Sequence, residues 1–132
     1  MQKKIVITGG EGRFAQVLKR DNKKLDILYP SKKELNILNI NSIKKYLKKN
    51  KPKYLIHAAA LSRPMNIHDK QISKSIDLNI IGTANIVKVC SELKIKLIYF
   101  STGYVYEGKI GNYKEVDPVL PVNNYAWSKL GG

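Results

Sequence analysis

A doubly wound α/β domain with a parallel sheet is the fold class predicted for this chain of 132 residues, and three observations predict it. Short apolar runs recur four times, and three of them lead into segments with helical spacing. The runs are apolar throughout instead of alternating with polar residues, as expected of strands covered on both faces. The first run ends in a cluster of glycines at the opening of a helix, a strand, turn and helix in close succession.

In chain order, the first strand is Lys4-Ile5-Val6-Ile7-Thr8. It belongs to a start, Met1 to Ile7, that reads as a strand with no long apolar stretch or cleavage site. Gly9-Gly10-Glu11-Gly12 forms the turn, and Phe14-Ala15-Gln16-Val17-Leu18 has helical spacing. A second strand, Leu25 to Tyr29, ends at Pro30-Ser31. Asn41-Ser42 then caps a helix through Ile43, Tyr46 and Leu47 that Pro52 stops. Tyr54-Leu55-Ile56-His57 is the third strand, followed by Ala58, Ala59 and Ala60 and a polar loop with Ser62, Arg63 and Pro64. One long helix fits from about Asp69 to Leu93, with Ile72, Ile76, Ile80, Ala84, Val87 and Cys90 as its inner stripe. The fourth strand is Lys96 to Ser101, an irregular glycine- and proline-bearing stretch follows, and a last helix opens at about Tyr125. Right-handed crossovers then predict the strand order third, second, first, fourth, with a ligand crevice between the first and fourth.

Composition narrows the function. With 43% hydrophobic and 26% charged residues, the length suits one domain with a real core. No apolar run approaches the roughly 20 residues of a membrane span, so a soluble, cytoplasmic protein is expected. The single Cys90 lies in an apolar-periodic stretch and reads as a buried, inert thiol. With two separated histidines, His57 and His68, there is no metal-ligand spacing. The net charge of +14 raises nucleic-acid binding, but the excess is nearly all lysine scattered over helix faces and turns, with arginine only at 13, 20 and 63. That is the distribution of solvated faces.

Gly10-Glu11-Gly12-Arg13-Phe14-Ala15 matches G-x-G-x-x-A, and counting from Gly9 gives G-x-x-G-x-x-A. Either spacing lets a pyrophosphate approach the backbone and meet helix N-terminal amides. Folds that prefer NAD usually place an acidic residue at the end of the second strand; here Ser31, Lys32 and Lys33 precede the first carboxylate, Glu34. Ser31 and Lys32, aided by Arg13, suit a 2′-phosphate, which favours NADP over NAD, unless the lysines are simply solvated turn residues. Downstream, Tyr125-Ala126-Trp127-Ser128-Lys129 is Y-x-x-x-K, an i, i+4 pair that shares a helix face. Bringing a phenol of pKa about 10 to neutral pH requires roughly 4 kcal/mol of phenolate stabilisation, part of which a nearby ammonium supplies.

With Ser101-Thr102-Gly103-Tyr104-Val105-Tyr106 at the end of the fourth strand, His57-Ala58-Ala59-Ala60, and Asn79 before Gly82-Thr83, the whole chain resembles the extended short-chain dehydrogenase/reductases. Within them it is most similar to the dTDP-4-dehydrorhamnose reductase group of RmlD-like sugar-nucleotide-binding proteins. The resemblance implies a Rossmann-type NAD(P)-binding domain over residues 1–132, cut after about four βα units and lacking the substrate domain. It implies that Tyr125 protonates a substrate carbonyl as NADPH delivers hydride, that Lys129 holds the nicotinamide ribose, and that Thr102 hydrogen-bonds the same carbonyl. Gly9, Gly12, Arg13, Phe14, Ser31, Lys32, Asn36, Ala58, Ala59, Ala60 and Asn79 would surround the cofactor, with Asn79 positioning the strand ends. His57 would only pack. The implied substrate is a keto sugar nucleotide, and a homodimer or a separate C-terminal half would complete the sheet. An epimerase or dehydratase with tightly held NAD, or a non-catalytic regulatory subunit of the same fold, are the alternatives. Two positions depart from the group: Gly103 and Asn36 stand where it carries aspartates.

Overall fold

The computed structural model describes residues 3–132, so Met1 and Gln2 of the expected starting pattern lie outside the described residues. Four parallel strands, β1 (Ile5–Thr8), β2 (Ile27–Leu28), β3 (Tyr54–His57) and β4 (Lys96–Tyr99), form one sheet in the order β2-β1-β3-β4. The fold class is as the sequence predicts, but the strand order is not. Tyr54–His57 sits beside β1, in register from Ile5↔Tyr54 to Thr8↔His57, and not outside the second strand. The observed difference is the length over which each strand pairs. β2 pairs with β1 through only two residues and makes a short edge, whereas β3 pairs along its whole length on both sides. A strand paired through four residues on both edges occupies the middle of the sheet, and one paired through two is tolerated at its rim. The winding therefore reverses between β1 and β3, and the crevice expected between the first and fourth strands lies there instead.

Opposite crossover directions put α1 (Arg13–Asp21) on one face and α2 (Ile40–Asn50) with α5 (Gly82–Glu92) on the other. The main core lies beneath α2 and α5, where Val6 and Leu55 of the sheet meet Ile43, Leu47, Ile86, Val89 and Cys90. Leu35 and Ile37 join it from the turn after β2. Burial pushes the Cys90 thiol up to about 11, in keeping with an inert packing residue. Asn39, not Asn41 or Ser42, caps α2 by accepting from the Ser42 amide, and Lys51 ends it in the left-handed region.

The long helix expected from Asp69 to Leu93 is four pieces: α3 (Ile67–Lys70), α4 (Ile72–Ile76), a π-helical turn (Asp77–Ile81) and α5. Gln71, at φ −134° and ψ 62°, interrupts the helical path, and the π turn inserts an extra residue. The inner stripe is consequently re-phased. Ile72, Ile76 and Val87 are exposed, while His68, Ser75, Asn79 and Thr83 are buried. Polar side chains take the inner positions because each of the four hydrogen-bonds inside the fold. The last helix, α6 (Asn124–Gly131), is capped by Asn123, which accepts from the Ala126 amide. None of the described helices is long and apolar enough to cross a membrane.

Candidate functional site

β1 delivers the chain to Gly9, whose φ of +71° suits glycine. A Cβ on Gly10 would lie 2.6 Å from the Pro30 carbonyl oxygen, so the loop packs against the end of β2 with no room for a side chain. Gln16 donates to the Gly10 carbonyl (2.7 Å) and braces the turn. Gly12 precedes α1 in an extended conformation, its N-cap position has no side-chain cap, and the first turn of α1 carries no acidic residue. These first-turn amides are available to an anion. The loop thus fits a dinucleotide pyrophosphate on its own geometry.

The loop opens into a cleft of about 250 Å³ lined by Gly9, Gly12, Glu11, Lys32, Asn36, Ala59 and the exposed Ala60. Ala60 also lines a second cleft of about 400 Å³, bounded by Phe14, Ala58, Phe100, Tyr125 and Lys129. The two clefts adjoin at Ala60, the one lining residue they have in common, and together they form a trough at the carboxyl ends of β1 and β3. Gly9, Gly12, Phe14, Lys32, Asn36, Ala58, Ala59, Ala60, Tyr125 and Lys129, all picked out in the sequence, meet along it.

Other sequence-predicted residues are placed differently. Arg13 is an exposed first residue of α1 and lines neither cleft. The Ser31 amide and hydroxyl both donate to Glu34 Oε2 (2.8 and 2.9 Å), which holds the Glu34 carboxyl below the usual range. Ser31 is thereby committed to its own turn, and Lys32 is the basic residue left at the cleft, with Glu11 accepting from its amide (3.4 Å). Asn36 Oδ1 accepts from the Leu38 amide (3.0 Å) and keeps a second lone pair. Thr102 caps the 3₁₀ turn Gly103–Val105, accepting from the Tyr104 amide (3.3 Å), and its hydroxyl proton remains to be donated. Asn79 lies behind the cleft walls. Its amide bonds Leu61 twice (2.7 and 2.9 Å) and donates to Ser128 Oγ (2.8 Å), so its polar atoms are engaged inside the fold and it lines neither cleft.

Tyr125 and Lys129 are aligned by neighbours that sequence reasoning missed. The Tyr125 ring lies 5.1 Å from that of buried His68, whose Nδ1 pairs with Ser75 Oγ (2.7 Å). Lys129 is only 6% exposed, its Nζ sits 4.1 Å above the Tyr99 ring, and Tyr99 donates to the Lys129 carbonyl (2.9 Å). Such a contact stabilises an ammonium through the ring quadrupole. Burial still dominates, and it lowers the Lys129 ammonium to about 8. The signal for Tyr99 was its place at the carboxyl end of the fourth strand; Ser128 is the residue just before the lysine in Y-x-x-x-K.

Comparison with known proteins gives this trough its family. Residues 3–132 match the family described as RmlD substrate binding domain. The chain belongs to that family. Among its relatives, dTDP-4-dehydrorhamnose reductase from Aggregatibacter actinomycetemcomitans is 28% identical over 98% of the chain and 45% of the relative. Methionine adenosyltransferase 2 subunit beta from Xenopus laevis is 35% identical over 74% of the chain and 29% of that protein. In structure, dTDP-4-dehydrorhamnose reductase from Bacillus anthracis, solved in complex with NADP, superposes with a TM-score of 0.92 at 29% identity, covering 99% of the chain and 48% of the reductase. This RmlD-family chain spans less than half the length of each of these relatives.

Proposed function

We propose that the chain is the NADP-holding half of a short-chain reductase that acts on a keto sugar nucleotide. The observation that carries this reading is a pair of adjoining clefts, one lined by the glycine loop and the other by the Tyr125, Lys129 pair, with Ala60 common to both. NADPH, when bound, supplies the hydride. Every other task falls to the chain's own residues. The α1 amides hold the pyrophosphate, and Ala58 to Ala60 give the flat wall against which the cofactor lies. Lys32 is the cation for a 2′-phosphate. Tyr125 gives its phenolic proton to the carbonyl oxygen, Thr102 donates a hydrogen bond to that oxygen, and Lys129 holds the ribose. The NADP complex of the Bacillus anthracis reductase supports the cofactor assignment. A cytoplasmic location and completion of the protein by a partner, either a second copy or a C-terminal half, belong to the same proposal.

Titration with NADPH and NADH, followed by fluorescence, tests the cofactor half: saturable binding with NADPH preferred is expected, and no binding of either overturns the proposal. In the complete polypeptide, Tyr125→Phe is expected to lower turnover of a dTDP-4-keto sugar by about 10²-fold or more, as loss of a general acid does. NADPH affinity should change little. A second reading is a non-catalytic dinucleotide-binding subunit. Likeness to methionine adenosyltransferase 2 subunit beta and the Gly103 departure favour it. NADPH binding without turnover of any keto sugar nucleotide by the complete protein would select that reading.

A further inference from the structure

His57 is 2% exposed and stands at the end of β3, between the glycine loop and the helix that carries Tyr125 and Lys129. Both ring nitrogens are engaged: Nδ1 lies 2.7 Å from Thr8 Oγ1 and Nε2 lies 3.1 Å from Thr83 Oγ1. The direction of these bonds follows from their neighbours. Thr83 gives its hydroxyl proton to the Asn79 carbonyl (2.8 Å), so toward His57 its oxygen accepts, and Nε2 carries the ring proton. Nδ1 is then an acceptor, and Thr8 donates to it. Thr8 Oγ1 in turn accepts from the Ala59 amide (3.1 Å).

The run continues beyond Asn79. Asn79 Nδ2 donates to Ser128 Oγ (2.8 Å), and Ser128 donates to the Tyr125 carbonyl (2.8 Å). Ala59, Thr8, His57, Thr83, Asn79, Ser128 and Tyr125 are therefore linked in sequence, every donor pointing the same way. One end is the cofactor-side wall and the other is the first turn of α6. Asn79 lies at the centre of the π turn, with its carbonyl and its side chain each meeting one partner in the run.

We propose that His57 is a positioning residue, locked as the neutral Nε2–H tautomer, that couples the Ala59 wall of the trough to the helix bearing Tyr125 and Lys129. The coupling rests on the reading of the trough as a cofactor site; the tautomer does not. Burial, reinforced by the Lys129 charge, holds the His57 imidazole down to about 4, which keeps it neutral at physiological pH. A protonated ring would give Nδ1 a hydrogen that faces the Thr8 hydroxyl, and the run would be broken at its centre.

The ¹⁵N shifts of the His57 ring in the 132-residue chain give the tautomer directly, with and without NADPH. A protonated Nε2 and an accepting Nδ1 from pH 6 to 8 are expected, and a protonated Nδ1 overturns the proposal. Thr83→Val removes the acceptor without lining the trough; it should weaken NADPH binding about tenfold and speed exchange of the Ala59 amide, whereas Thr83→Ser should restore both. A folded Thr83→Val chain with unchanged Ala59 exchange and NADPH affinity within about twofold of the parent also overturns it. Should Thr83→Val not fold, the ring shifts of the parent chain decide. Absence of NADPH binding by the parent chain would remove the cofactor reading, while the ring shifts and Ala59 exchange still judge the relay.

Discussion

Lys129 is the residue at which stability and chemistry oppose each other. Its ammonium is lowered from 10.5 to about 8 by burial, which corresponds to about 3 kcal/mol against the charged form at neutral pH. The folded state releases this proton near pH 8, while the unfolded chain holds it to about 10.5. The cost is fully present below pH 8, and stability rises as pH climbs from there. Lys129→Met is expected to raise the melting temperature by several degrees at pH 7 and to flatten this alkaline rise, both readable by thermal unfolding across pH. On the proposed reading, in which Lys129 holds the ribose, the same variant should weaken NADPH binding about tenfold. His57 acts on the acid side. The unfolded histidine takes a proton near 6.5 and the folded one only near 4, so stability declines as pH falls through that window, by up to about 3 kcal/mol. Denaturant unfolding at pH 7 and pH 4 should show the decline, and His57→Phe should remove most of it.

Elements explain which expectations survived contact with the fold. The glycine loop was legible because one backbone path out of β1 demands small residues in a fixed spacing, and the structure shows the demand directly at Gly10. Gly10→Ala drives a methyl into the Tyr29 and Pro30 backbone, so a loss of about 2 kcal/mol or more, together with failure of NADPH binding, is expected in chemical denaturation and titration. Gly103 is the contrast. A Cβ there meets nothing within 4 Å, so Gly103→Asp should leave the melting temperature within about 2 °C of the parent; a larger drop would mean that the turn after β4 needs its glycine. The helix expected from Asp69 to Leu93 was misread because helical periodicity assumes that apolar side chains mark the inside. Here the inside near the trough is built from His68, Ser75, Asn79 and Thr83, and periodicity carries no signal for a polar residue whose partner is distant in sequence. Strand order failed for a related reason. Nothing local in Tyr54-Leu55-Ile56-His57 says which side of β1 it joins; that depends on how α2 crosses the sheet.

At the scale of the whole molecule, the face of the sheet on the α1 side is less covered than the face under α2 and α5. Phe14 and Ile98 are 49% and 45% exposed, and Phe14 meets Phe100 edge-on at 5.0 Å between ring centroids. β4 pairs only with β3, so within the described residues its outer edge offers unpaired backbone groups beside apolar side chains. An edge of this kind is a template for another chain unless charge guards it. One guard exists already. Lys96 and Ile98 are the exposed residues of β4, so the alternation puts a cation next to the isoleucine on that face. Extending the guard by Ile98→Lys should shift the 132-residue chain toward monomer in sedimentation velocity at tens of micromolar. Ile98 lines neither cleft, so NADPH affinity should remain within about twofold. An unchanged sedimentation profile would instead locate any self-association away from β4. The exposed Trp127 and Leu130 of α6 would then be the next surface to alter.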